Sequence, residues 1–132
     1  MRVFESYKQA HESLDLPGSW QQGTIGSSAT GVSSIKLTAN PKSLDRISQD
    51  LRTIYYVGKG KKASPGEPKF QQKKQDQAMF YTSLKTKTPV HVLVKNKQGF
   101  VVFLGLYQVV SIRKVAGFKE IEYFQIKLLA VN

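Results

Sequence analysis

The chain has 132 residues, 40% of them hydrophobic and 22% charged, with no cysteine and a formal net charge of +11. That length fits one domain with a single core, the composition is that of a folded chain, and disulfide and thiolate chemistry are excluded. No run approaches the roughly 20 apolar residues of a membrane helix and the opening Met1-Arg2-Val3-Phe4-Glu5 lacks an apolar signal core, so a cytoplasmic location and no membrane partner are expected.

The charge is unevenly placed. Residues 1–50 carry five basic and five acidic side chains, whereas residues 51–132 carry fifteen and four, so the whole excess lies in the second part. Residues 59–97 alone hold ten lysines against Glu67 and Asp76. A field that dense attracts a polyanion and makes its binding salt-dependent, although lysines that merely solvate a β-rich surface would read the same way.

In chain order, Val3, Tyr7, Ala10 and Leu14 recur at helical spacing and predict a short amphipathic helix over 3–14, stopped by Pro17-Gly18, with His11 on its surface. Residues 18–34, rich in Gly, Ser, Thr and Gln, predict a loop or weakly specified strand suited to ligand contacts. Trp20 within it reads first as a lid on the core and second as a stacking surface for a base. A strand over 33–37 and a short helix over 41–51, carrying Leu44, Ile47 and Leu51, follow.

The strand predicted over 53–57 runs into Gly58-Lys59-Gly60. Glycines around a lysine let backbone amides approach a phosphate, but the spacing is not that of a nucleotide-holding loop. Lys61 and Lys62 extend the run, and Ser64-Pro65-Gly66 with Pro68 keeps it irregular. A helix is expected over 71–85, with Gln77, Met79, Phe80 and Leu84 toward a sheet, Lys73, Lys74 and Asp76 outward, and Ala78 permitting close approach; Pro89 closes the segment.

Strands over 90–94 and 100–104, the latter buried, flank a turn at Asn96-Lys97-Gln98-Gly99, and Gly105 marks a bulge before a further strand over 106–112. Residues 113–117 read as a connection. The last strand, 120–129, sets Phe124, Ile126 and Leu128 on one face and Tyr123, Gln125 and Lys127 on the other. The order predicts an α+β domain spanning 1–132: a curved, mainly antiparallel β-sheet or partly open barrel with two or three short helices and a motif region at 53–128.

Catalysis is not expected. The basic part offers only Glu67, Asp76, Glu120 and Glu122 as carboxylates, none compactly spaced with a histidine, and His11 and His91 without cysteine do not supply a zinc site. The reading is a binder with no catalytic residue, no metal and no cofactor.

Tyr55-Tyr56-Val57-Gly58-Lys59-Gly60, Asp76-Gln77-Ala78 opening a helix, Pro89-Val90-His91-Val92, and the run from Phe103 through Gly105 and Tyr107 to Val110 together resemble the PUA-like and SRA-like reader modules of modification-dependent restriction systems. Those families carry an aromatic-Gly-x-Gly element, an Asn-Gln-Ala triplet at a helix start and a Tyr-x-Gly-x-Tyr strand. Here Asp76 stands for asparagine, adding repulsion toward phosphate, and Phe103 stands for the first tyrosine, removing a hydroxyl. The resemblance implies a PUA/SRA-like fold and a reader of double-stranded DNA carrying a modified cytosine or a phosphorothioate, working with a separate nuclease or effector; PUA-like folds with RNA partners leave RNA as the alternative. Ile54-Tyr55-Tyr56-Val57-Gly58 is also similar to the second element of GIY-YIG nucleases. The arginine that family needs on a following helix is missing between Gly60 and Arg113, and Glu67 lies beside Pro68.

On this reading Lys59, Lys61, Lys62, Lys73, Lys74, Lys85 and Lys87 engage phosphates, and Trp20, Tyr55, Tyr56, Gln71 and Gln72 discriminate the target. Gly58, Gly60, Asp76 and Tyr107 join them through the resemblance. Replacing Lys59, Lys61 and Lys62 by alanine lowers DNA affinity and reduces the salt slope by about 0.9 per lost phosphate contact; unchanged binding at low salt removes the run from the interface.

Overall fold

The structure, a computed structural model, describes residues 2–37, 44–57, 74–116 and 122–131. Its strands are β1 (Arg2–Phe4), β2 (Thr24–Ser27), β3 (Gly31–Leu37), β4 (Arg46–Ile47), β5 (Thr53–Tyr56), β6 (Val90–Lys95), β7 (Val101–Ala116) and β8 (Glu122–Ala130), with helices α1 (Tyr7–Ser13) and α2 (Lys74–Thr86). They form one sheet in the order β2-β3-β6-β7-β8-β5-β4, with β1 paired to β7. Among the described residues only the pairing of β3 with β6 is parallel. This is the expected α+β, mainly antiparallel architecture, as an open sheet.

Alternation decides the faces. Val90 and Val92 of β6, Val109 of β7 and Ile126 and Leu128 of β8 turn inward with Met79 and Phe80 of α2 to form the main core. Leu93 and Val101 turn the other way and pack with Phe4, Ala10 and Leu16 around α1. α1 therefore covers one part of the outer face and α2 the inner face.

The bulge expected at Gly105 is present. Val92 pairs with Gly105 and Leu93 with Phe103, which leaves Leu104 as the extra residue, and Gly105 adopts φ +123°. The turn before β7 is held by Asn96, whose Oδ1 accepts the amides of Gln98 and Phe100 at 3.1 and 2.9 Å. Phe100 itself lies in that turn and is exposed, and of the strand expected to be buried only Val101 is so, residues 102–104 being half-buried.

Five other expectations are corrected. Residues 2–4 are strand because they pair with 101–103 of β7; the helix starts only at Tyr7, where Ser6 accepts the amide of Gln9 at 3.1 Å as N-cap. His11 is buried, not on the surface, and Nε2 donates to the carbonyl of Gly18 at 2.9 Å. In place of a helix over 41–51, of which 41–43 lie outside the described residues, β4 is followed by a turn. Asp50 Oδ1 there accepts Ser48 Oγ at 2.7 Å and the amide of Arg52 at 3.0 Å, and such local bonds compete with helix. Residues 113–116 continue β7 against β8 and are not a connection.

The fifth correction concerns how α2 meets the sheet. Ala78 is exposed; the close approach is made by Ser83, fully buried, whose Oγ accepts the amide of Val32 at 2.7 Å. Opposite it, Gly31 has φ +91° and a Cβ there would meet Ser83 Oγ at 2.6 Å. Gly31→Ala combines a strained backbone with a clash, each worth about 1–3 kcal/mol. The melting temperature is expected to fall by roughly 10 °C, and a shift under about 2 °C contradicts this docking.

Candidate nucleic-acid interface

β5 ends in Tyr56 and Val57, and a polar cluster forms there. Tyr56 is 4% exposed. Its hydroxyl shares a hydrogen bond with Thr24 Oγ1 at 2.8 Å, and its ring lies 5.6 Å from that of Phe80 on α2. Asp45, 6% exposed, accepts the amide of Val57 on Oδ1 at 2.8 Å. Asp76 is half-buried in the first turn of α2, where the helix dipole favours a carboxylate.

Burial pushes the Tyr56 phenol well above its ordinary range, against the opposing bond from Thr24, and the charges of Asp45 and Asp76 push it further up. The phenol is therefore neutral throughout the physiological range. Two carboxylates and a neutral hydroxyl present acceptors and a weak donor, which suits a ligand edge bearing N–H groups and not a phosphate.

The sequence-predicted residues divide. Tyr56 lies in the cluster, and Asp76 is near enough for its charge to act on the Tyr56 phenol. Tyr55 faces the other side of the sheet, with Lys127 Nζ 6.0 Å from its ring centre. Tyr107 is a core residue, 1% exposed, and its hydroxyl donates to the carbonyl of Leu51. Trp20 is not a lid on the core, since it is 38% exposed on a turn whose Trp20 carbonyl accepts Lys36 Nζ. Lys85 and Lys87 are exposed at the C-terminal end of α2, Lys87 closing the helix through its amide to the Ser83 carbonyl at 2.8 Å. Nine positions of helix separate Lys85 from Asp76, roughly 13 Å at 1.5 Å per residue. Gly58, Lys59, Gly60, Lys61, Lys62, Gln71, Gln72 and Lys73 lie outside the described residues, and of Lys74 only the backbone is described.

Sequence reasoning missed Asp45 and Thr24. Neither belongs to a periodic pattern: pairing of β4 with β5 brings Asp45 to Val57, and the Tyr56 hydroxyl reaches Thr24 of β2, which lies at the opposite end of the strand order. His91 is half-buried, donating from Nδ1 to the Ser33 carbonyl at 3.2 Å and stacked on Phe103. Among the described residues no three His, Cys, Asp or Glu side chains are placed to hold a metal ion, and no helix is long and apolar enough to cross a membrane.

The SAD/SRA domain model matches residues 2–132, and the chain belongs to that family. No curated protein matches it in sequence. Among solved structures it is similar to the SUVH5 SRA in complex with hemimethylated CG DNA, at 21% identity and TM-score 0.74, covering 97% of this chain and 85% of that one. It is similar to KRYPTONITE in complex with mCHH DNA, an H3 peptide and SAH, at 17% identity and TM-score 0.73, covering 99% of this chain and 31% of that one. It is also similar to the modification-dependent TagI restriction endonuclease, at 20% identity and TM-score 0.73, covering 98% of this chain and 48% of that one. At these identities the structural likeness speaks to the fold.

The raised Tyr56 phenol gives a pH prediction. A group whose folded pKa lies above its unfolded value of about 10 contributes stability that is full below that value and is lost as pH rises beyond it. Stability should hold to about pH 10 and then fall, and Tyr56→Phe should make that alkaline decline shallower. A Tyr56→Phe protein with the same decline in denaturant titrations removes Tyr56 as its source.

Proposed function

We propose that this domain binds double-stranded DNA and reads a modified cytosine turned out of the duplex, with the cluster at the end of β5 receiving the base. The observation that carries this is Asp45, a buried carboxylate beside Tyr56 and Val57. A carboxylate accepts from the exocyclic amino group of cytosine. Membership of the SAD/SRA family and the DNA partners of the SUVH5 and KRYPTONITE structures support a modified cytosine as the target.

Two negative side chains at the cluster argue against a phosphate or phosphorothioate ligand there, because like charges repel most where water is least. The net charge of +11 over the whole chain supplies attraction to the backbone. Turning the base out costs a few kcal/mol, which contacts to its edge and face must offset.

The reading is of a reader that leaves cleavage to another protein or domain. The TagI restriction endonuclease, of which the chain spans about half, supports a nuclease as that effector.

Affinities for modified duplex, unmodified duplex and structured RNA at two salt concentrations test the proposal. A preference for the modified duplex that persists at the higher salt is expected. Asp45→Asn, which keeps an acceptor for the Val57 amide, should weaken binding to the modified duplex by tenfold or more, from about 1–3 kcal/mol per specific base contact, and leave the unmodified duplex unaffected. Equal binding to all three nucleic acids, erased by salt, overturns the reading.

A further inference from the structure

β7 is the longest strand among the described residues, and among those residues its far end pairs as a strand with β8 alone. β6 pairs with β7 no further than Tyr107, and β5 pairs with β8 no further than Ile126. Beyond them, residues 113–116 and 122–125 pair only with each other among the described residues. A two-stranded ribbon thus extends past the other described strands of the sheet.

The overhang lies at the functional end. β5 runs toward Val57, and the pairing of Tyr56 with Ile126 puts the residues before Ile126 on β8 level with Val57 and beyond. The ribbon therefore projects past the strand end where Asp45 holds the Val57 amide. Its root is fixed by the buried Ile126, with Ile112 packed on the core, and Tyr81 of α2 meets Phe124 edge-on at 6.4 Å. It is an arm with a rigid base.

Its charge has one dominant sign. Residues 111–116 and 122–127 contain Arg113, Lys114 and Lys127 against Glu122. Arg113 pairs with Gln125 and Lys114 with Phe124, so the two adjacent cations stand on opposite faces of the ribbon, and both are exposed. An ordinary amphipathic strand puts charge on one face only. A two-stranded ribbon fits the major groove of B-form DNA, where phosphate backbones flank it on both sides. Cations on both faces match that surround.

We propose that the ribbon formed by the far ends of β7 and β8 is a second duplex contact, which enters the groove beside the modified pair and engages flanking phosphates through Arg113 and Lys114. The inference rests on the duplex-reading role proposed above. It assigns to the ribbon a footprint on DNA several base pairs away from the base that the Asp45 cluster receives.

The test compares a modified duplex of roughly 8 base pairs with one of roughly 20, each carrying one central modified cytosine, against the wild type and Arg113→Gln/Lys114→Gln. Each phosphate contact contributes a salt slope of about 0.9. The wild type should bind the longer duplex more tightly, and the variant should lose about 1.8 units of slope and roughly tenfold affinity on it, with the short duplex and the melting temperature unchanged. Lys8→Gln/Lys97→Gln, which removes two exposed cations away from the ribbon, should leave the long duplex nearly as it was. Equal losses in the two variants, or none in the ribbon variant, overturn the proposal. Absence of any preference for modified over unmodified DNA in the wild type instead defeats the underlying reading, and the two failures are told apart.

Discussion

The buried hydroxyl of Ser83 accepting the Val32 amide at 2.7 Å is the contact on which the rest is hung. With Gly31 beneath it, this bond lets α2 settle on β3 at a distance no larger side chain would permit. Breaking it would leave a buried N–H unsatisfied, at about 1–3 kcal/mol. From that seat α2 reaches two ways: Phe80 lies against Tyr56 in the cluster at the end of β5, and Tyr81 touches Phe124 at the root of the ribbon. One docking contact thus fixes both regions to which a DNA role is assigned.

The electrostatics divide the labour between those regions. The chain carries +11 overall, yet the cluster around Tyr56 holds the carboxylates of Asp45 and Asp76. A polyanion drawn in by the whole surface is locally repelled there, so the cluster is suited to an uncharged group bearing N–H donors. Phosphate contacts position a duplex and base contacts specify it. On the proposed reading the two tasks fall to residues of opposite sign.

Much of the sheet could be read from period-two alternation. Val90, Val92, Ile126 and Leu128 face inward as the pattern requires, and Gly105 marks its bulge. Two of the misreadings share one cause, since residues 2–4 and 113–116 take strand form from pairing with distant partners and not from local preference. The helical spacing of Val3 with Tyr7 carried no information about Val101 to Phe103. The turn at Ser48 and Asp50 was hidden because local side-chain bonds overrode an apolar period. At the site, Tyr56 and Asp76 stood out through a motif resemblance, whereas Asp45 did not. A single aspartate acquires meaning only when pairing of β4 with β5 sets it beside Val57.

The central claim is that a modified cytosine leaves the stack to enter the cluster of Asp45 and Tyr56. Fluorescence of a 2-aminopurine placed next to that cytosine in the duplex reports it directly, because the probe brightens when its neighbour unstacks. Saturating protein should raise the emission with the modified duplex and leave that of the unmodified duplex near its free value. Saturated binding of the modified duplex with unchanged emission would contradict the account.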